Sequence, residues 1–181
     1  EFSLTDVAKK VGLTKAAIYW YFPNKNALVD EVARSIYDTY IGYIEKISGS
    51  PLSSCEKLRR IVLGEEDTIQ AALMCVFPIK FYLESYSESH VVKTLIKNGY
   101  EKYNALITAV LEEGIRNGEF QTCLPVSELA KFITGAIDGL AFQNLLVSSE
   151  KPEVPRSLLF SVLDRILTPI HPTPRKEVSN D

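Results

Sequence analysis

Within a dozen residues near the start of the chain stand Thr14, Lys15, Tyr19, Trp20, Tyr21 and Lys25. They form no nucleophile–base pair and no ligand set. They are hydrogen-bond donors and flat aromatic surface, the groups that grip phosphates and read base edges. Lys15 can reach guanine acceptors or a phosphate, and the Ala16 methyl can touch a thymine methyl. The Thr14 hydroxyl and the free backbone N–H groups at a helix start suit phosphate oxygens. The hydroxyls of Tyr19 and Tyr21 can donate to the same oxygens. Lys25 stands where a helix should begin, so dipole and side chain together attract an anion. Trp20 and Phe22 are expected to pack inward or against the next helix.

Other chemistries find little support. His90 and His171 are each alone, without Cys, His or carboxylate at ligand spacing, so no metal site is expected. Cys55, Cys75 and Cys123 make neither a CxxC pair nor a disulfide framework. Three isolated thiols fit a reducing cytosol, and a cytoplasmic location is expected. There is no nucleophile elbow and no glycine-rich phosphate loop, so we expect no catalytic residue, no cofactor and no enzyme. No apolar run reaches the roughly 18–20 residues of a membrane span, and no signal peptide is visible. Hydrophobic residues at 46% and charged residues at 24% are ordinary for a globular chain of 181 residues. The net charge of −3 opposes a nucleic-acid partner, but residues 1–30 hold four lysines against three acids, +1, leaving −4 for the rest. A weakly basic head on an acidic body is compatible with DNA at one end.

These residues need a scaffold, and the scaffold reads as all-α. Apolar positions recur at three and four, while Gly and Pro fall between the periodic stretches. A first helix should run from about Leu4 to Val11, capped by Ser3 with Asp6 and ended by Gly12. Thr14 should cap a second helix over Lys15 to Tyr21, and Asn24 a longer one with Leu28, Val32, Ile36, Tyr40 and Ile44 on its apolar face. Ser48-Gly49-Ser50-Pro51 breaks it. Further helices are expected near 52–66, 68–86, 90–116, 125–147 and 155–167. The long one near 90–116 should bury Leu95, Tyr103, Leu106, Val110 and Leu111. Pro169, Pro172 and Pro174 then leave 169–181 as a tail. The division is a head, 1–46, and a body, 47–168.

Two short helices joined by a Gly-containing turn make a helix-turn-helix. Val7, Ala8 and Val11 are expected to pack on Ile18, leaving Thr14, Lys15, Ala16 and Tyr19 outward for a major groove. In the body, Phe77, Phe81, Tyr82, Tyr86, Tyr100 and Tyr103 either line a ligand cavity or are ordinary core. Asp138, Gln143 and Asn144 interrupt an apolar helix and face an interface, a ligand or solvent.

The run from Ser3 to Leu28, with Tyr19-Trp20-Tyr21-Phe22 followed by Asn24-Lys25-Asn26-Ala27-Leu28, resembles the DNA-binding domain of the tetracycline-repressor (TetR) family without a gap. Glu113-Gly114-Ile115-Arg116-Asn117-Gly118-Glu119-Phe120 and Ile137-Asp138-Gly139-Leu140 resemble phrases of its regulatory domain. The resemblance implies that Thr14, Lys15 and Ala16 face bases or their flanks and that Thr5 can also reach them. It places Ser3, Ala17, Tyr19, Tyr21 and Lys25 at phosphates, though Ala17 has no hydroxyl to offer. With Ala16 and Ala17 side by side, base reading rests on few groups and DNA shape carries more.

The resemblance further implies a homodimer whose two C-terminal helices form a four-helix interface, with Phe132, Ala136, Leu140, Leu159, Val162 and Ile166 as candidates at helical spacing. It implies a repressor on a palindromic operator, released by a small-molecule effector, with the helix from Lys25 to Ile47 transmitting the change. Activation in place of repression stays open. The family also places another helix, roughly 10–15 residues, before the motif. This sequence lacks it, so Glu1 is not expected to be the natural start. The alternative is a helical small-molecule-binding protein or enzyme without DNA function, supported by the weak head charge and Ala16-Ala17.

Overall fold

The computed structural model describes residues 3–63, 89–147 and 156–167, and every regular element among them is a helix. They are α1 (Leu4–Lys10), α2 (Lys15–Tyr21), α3 (Lys25–Ser48), α4 (Ser54–Leu63), α5 (His90–Arg116), α6 (Val126–Val147) and α7 (Arg156–Leu167). The helix expected near 68–86 and the tail 169–181 lie outside the described residues.

Local chemistry sets the first boundaries. Ser3 and Asp6 form a reciprocal capping box at α1, and these hydrogen bonds hold the Asp6 carboxyl below its usual range. Gly12 turns the chain at φ +72°, where a side chain would be strained. The Thr14 and Asn24 side chains then accept from Ala17 N and Ala27 N to start α2 and α3. α1 stops at Lys10, one residue short of the expected end, so Val11 leaves the helical period. It is 59% exposed and does not pack on Ile18 as expected. Leu4, Ala8 and Ile18 close a small head core, with Val7, Phe22 and Leu28 against it.

α3 crosses from this core into a larger one. Its buried residues are Ala33, Ile41, Ile44 and Ile47, while Leu28, Val32, Ile36 and Tyr40 are half-buried. The stripe is turned from the expected one because its far half faces α5. α3 and α5 run side by side in the same direction: Asp30 meets Ser89, Tyr37 lies on Gly99, Tyr40 on Tyr103, and Glu45 on Lys102. α5 buries Tyr103, Val110 and Leu111, and also Val92 and Ile107, whereas Leu95 and Leu106 are half-buried.

α4 and α6 both run antiparallel to α5. Lys57 and Glu113 pair at 2.8 Å on one side, and Thr134 donates to Asn104 at 2.7 Å on the other. α7 closes the core with Leu159, Leu163 and Leu167. At the α5–α6 turn, Gly118 takes φ +74° and Gln121 N donates to Leu167 O at 3.0 Å. Gly114 lies directly under the Phe120 ring, so that a Cβ there would overlap the ring and stand 2.9 Å from Ser54 Cβ.

Candidate nucleic-acid interface

α2 turns one side inward and the rest to solvent. Ile18 is 2% exposed and Ala17 half-buried, while Thr14, Lys15, Ala16, Tyr19, Trp20 and Tyr21 are exposed. Lys15 Nζ sits 5.8 Å from the Tyr19 ring centroid, a cation–π contact that gathers charge and ring on one flank. Thr14 spends an oxygen lone pair on the cap, and its hydroxyl hydrogen stays available to donate. Lys25 begins α3 half-buried.

One residue of the motif stands otherwise than expected. Trp20 is 79% exposed and edge-on to Tyr21 with ring centroids 4.7 Å apart, not packed inward. Ile18 already fills the inward position, and Phe22, at the end of α2, takes the partly buried place against the head core. Ser3 donates from both its N–H and its hydroxyl to Asp6 Oδ2, at 2.9 and 2.6 Å. Any phosphate contact by Ser3 must therefore compete with its own capping box. Thr5 is half-buried on α1.

In the body, Phe77, Phe81, Tyr82 and Tyr86 lie outside the described residues. Tyr100 and Tyr103 do not share a surface. Tyr103 is buried against Tyr40, whereas Tyr100 is 40% exposed and donates to Asp138 Oδ2 at 2.7 Å. Burial pushes the Asp138 carboxyl above its usual range, and the Tyr100 hydrogen bond partly offsets this. Gln143 is exposed. Among the described residues, no three His, Cys, Asp or Glu side chains gather as a metal site, and no helix is long and apolar enough to cross a membrane.

The residues expected on a dimer face divide. Phe132 and Val162 are exposed, at 52% and 41%. Ala136, Leu140 and Ile166 are half-buried against their own core, and Leu159 is buried within it. The outward apolar residues that spacing missed are Phe142 on α6 and Leu158 on α7, the latter 63% exposed. Both faces of these helices are apolar, so periodicity alone does not choose between them.

Sequence reasoning also missed a contact between head and body. Asp30, in the second turn of α3, accepts from Ser89 Oγ at 2.6 Å. Ser89 Oγ itself accepts from Val92 N at 3.1 Å and so caps α5. No local signal marks a pair 59 residues apart.

Comparison with known proteins bears on both parts. Residues 1–32 match the profile described as Bacterial regulatory proteins, tetR family. Residues 63–155 match that described as Tetracyclin repressor-like, C-terminal domain. The chain is 25% identical over 135 residues to the HTH-type transcriptional repressor KstR2 of Rhodococcus jostii, covering 72% of this chain and 64% of that protein. It thus spans less than two thirds of that repressor's length. The reduced form of E. coli NemR superposes with a TM-score of 0.74 at 17% identity, over 92% of this chain and 87% of that one. Bacillus subtilis FadR in complex with stearoyl-CoA superposes with a TM-score of 0.66 at 22% identity, over 94% and 89%. At these identities the superpositions speak for the fold. With 1–32 and 63–155 both matched, the latter just over half of the chain, the chain belongs to the tetR family of bacterial regulatory proteins, whose members are transcriptional regulators and not enzymes.

Proposed function

We propose that this chain supplies the DNA-reading and sensing parts of a repressor that grips a palindromic operator as a homodimer and lets go when a small molecule binds its body. The observation that carries the reading is the exposure of Thr14, Lys15, Tyr19 and Tyr21 on a short helix that closes a core of its own through Ile18. Donors and aromatic rings held outward on a short, well-capped helix are what a major groove accepts. The head is residues 1–46 and the body 47–168.

Dimerisation is supported by Phe132, Phe142, Leu158 and Val162, large apolar side chains left outward on α6 and α7. Two such helix pairs make a four-helix contact, and two-fold symmetry then sets the recognition helices about one DNA turn apart. The small molecule enters the body, as stearoyl-CoA is bound by FadR. It acts by preferring a dimer whose heads are mis-spaced, because a ligand shifts only an equilibrium whose two states it binds unequally. α3 carries the change, being one continuous helix with residues in both cores.

The test is a gel shift on the DNA flanking the gene. Tyr21→Ala and Lys25→Ala each weaken binding to every sequence and flatten its salt dependence by about one phosphate contact. Cross-linking the two heads at operator spacing abolishes release by effector. Full-length protein that binds no DNA at low salt would refute the reading and leave a helical small-molecule-binding protein.

A further inference from the structure

We propose that the crevice between α4, the α5–α6 turn and α7 binds a small organic ammonium ion, one apolar ring or short chain carrying a single positive charge. This site lies beyond the DNA-reading function and does not depend on it.

The walls come from three parts of the body. Leu58 of α4, Phe120 of the turn, and Leu163 and Leu167 of α7 supply an apolar floor, each of them buried. Glu119 of the turn, half-buried, and Asp164 of α7, exposed, add two carboxylates nearer solvent. The space is about 80 Å³, roughly five to eight times what one water needs. A single ring fits there, and a drug-sized molecule does not.

The charge at the crevice is negative and held in place. Glu119 Oε1 and Oε2 accept from Ser54 N and Cys55 N, at 3.1 and 3.0 Å. These bonds, that from Cys55 first, hold the carboxyl below its usual range, so it is ionised at neutral pH. Each oxygen keeps a further lone pair. The Cys55 thiol, also in the wall, registers the field. Burial pushes it up, and Asp164, Glu119 and Glu56 push it further against the smaller pull of Arg59. An ammonium group on an apolar body satisfies carboxylates and floor together, whereas an anion is repelled.

The position keeps the crevice open in a dimer. Phe160 and Asp164 of its wall each lie two residues from Val162, about 200° round α7 from that outward apolar side chain. The crevice also stands clear of the head. It adjoins the C-terminal end of α5, whose 27 residues put it about 40 Å from the Asp30–Ser89 contact at the other end.

The experiment titrates full-length protein by calorimetry, and melts it, with benzylammonium and with benzyl alcohol, its neutral isostere. Wild type binds benzylammonium with a Kd of about 1 mM or tighter. Ligand at about ten times Kd raises the melting temperature by about 3–6 °C. Benzyl alcohol binds at least about fivefold more weakly. Asp164→Asn weakens benzylammonium about two- to fivefold and leaves the alcohol as it was. Cys55→Phe puts a ring into the crevice and removes binding of both. Both positions are exposed, so the variants melt near wild type without ligand. Should Cys55→Phe not fold, Asp164→Asn decides alone.

Equal affinity for the ammonium and the alcohol would overturn the inference. So would undiminished benzylammonium binding by either folded variant, or no shift of wild type at about 20 mM benzylammonium. The DNA reading stands in each of these cases.

Discussion

Ser89 makes a two-part claim that a single substitution can test. Its hydroxyl donates to Asp30 across the boundary between head and body and caps α5 at the same time, and the residue is 8% exposed. Ser89→Ala removes both interactions. Loss of an N-cap costs about 1 kcal/mol, and loss of a buried hydrogen bond to a carboxylate about 1.5–3 kcal/mol. The expected sum is about 2.5–4 kcal/mol, or roughly 5–15 °C for a chain of this size. Asp30→Ala keeps the cap and so costs less, and Asp30→Asn keeps an acceptor and costs least. Thermal and urea melts of the three variants and of the double variant complete the cycle. The coupling between Ser89 and Asp30 should be about 1–2 kcal/mol. The link also joins α5 to the helix that we propose as transmitter, so Ser89→Ala should reduce the effect of a bound small molecule on DNA affinity. A Ser89→Ala melt within about 1 °C of wild type would refute the reasoning, as would a coupling below about 0.5 kcal/mol.

Two glycines in helices should respond oppositely to alanine. Gly42→Ala, in open space on α3, stabilises by about 0.5–1 kcal/mol, whereas Gly114→Ala destabilises by about 1–3 kcal/mol because its Cβ meets the Phe120 ring and Ser54. Paired melting curves decide, and the same sign for both would contradict the packing. Glu119 accepts from Ser54 N and Cys55 N, at 3.1 and 3.0 Å, and so caps α4 from across the fold. The Cys55 N–H, then that of Ser54, hold its carboxyl below the usual range. A carboxyl lowered on folding stabilises above its ordinary pKa of about 4.3 and loses that contribution as pH falls through the folded value. Glu119→Gln should therefore melt a few degrees lower at neutral pH, with the gap narrowing as pH falls below the ordinary carboxylate range. A gap that persists in acid would point to a cause other than ionisation.

The head was legible because its instructions are local. Ser3 with Asp6, Thr14 with Ala17 and Asn24 with Ala27 are each three residues apart, and Gly12 supplies the turn between helices. The long helix over His90–Arg116 was equally plain from its apolar period and the stop at Asn117-Gly118. What resisted reading was the choice between competing apolar residues. Trp20 was expected inward or against the next helix, yet Ile18 holds the inward place on α2 and Trp20 stands exposed. On α7, Leu158 and Leu159 are the same side chain one residue apart. Only the packing of α4 and α6 decides that Leu159 turns in and Leu158 out. The Asp30–Ser89 link had no signal at all, since each residue alone is an ordinary helix-end polar group.

The central claim is that the exposed side of α2 recognises a defined DNA sequence. Its most direct test is equilibrium binding of full-length protein to a duplex selected from a random library, set against a scrambled duplex at physiological salt. The account predicts a two-fold symmetric consensus bound at least about a thousandfold more tightly than the scramble. Equal affinity for the two duplexes, or no enrichment from the library, would contradict it.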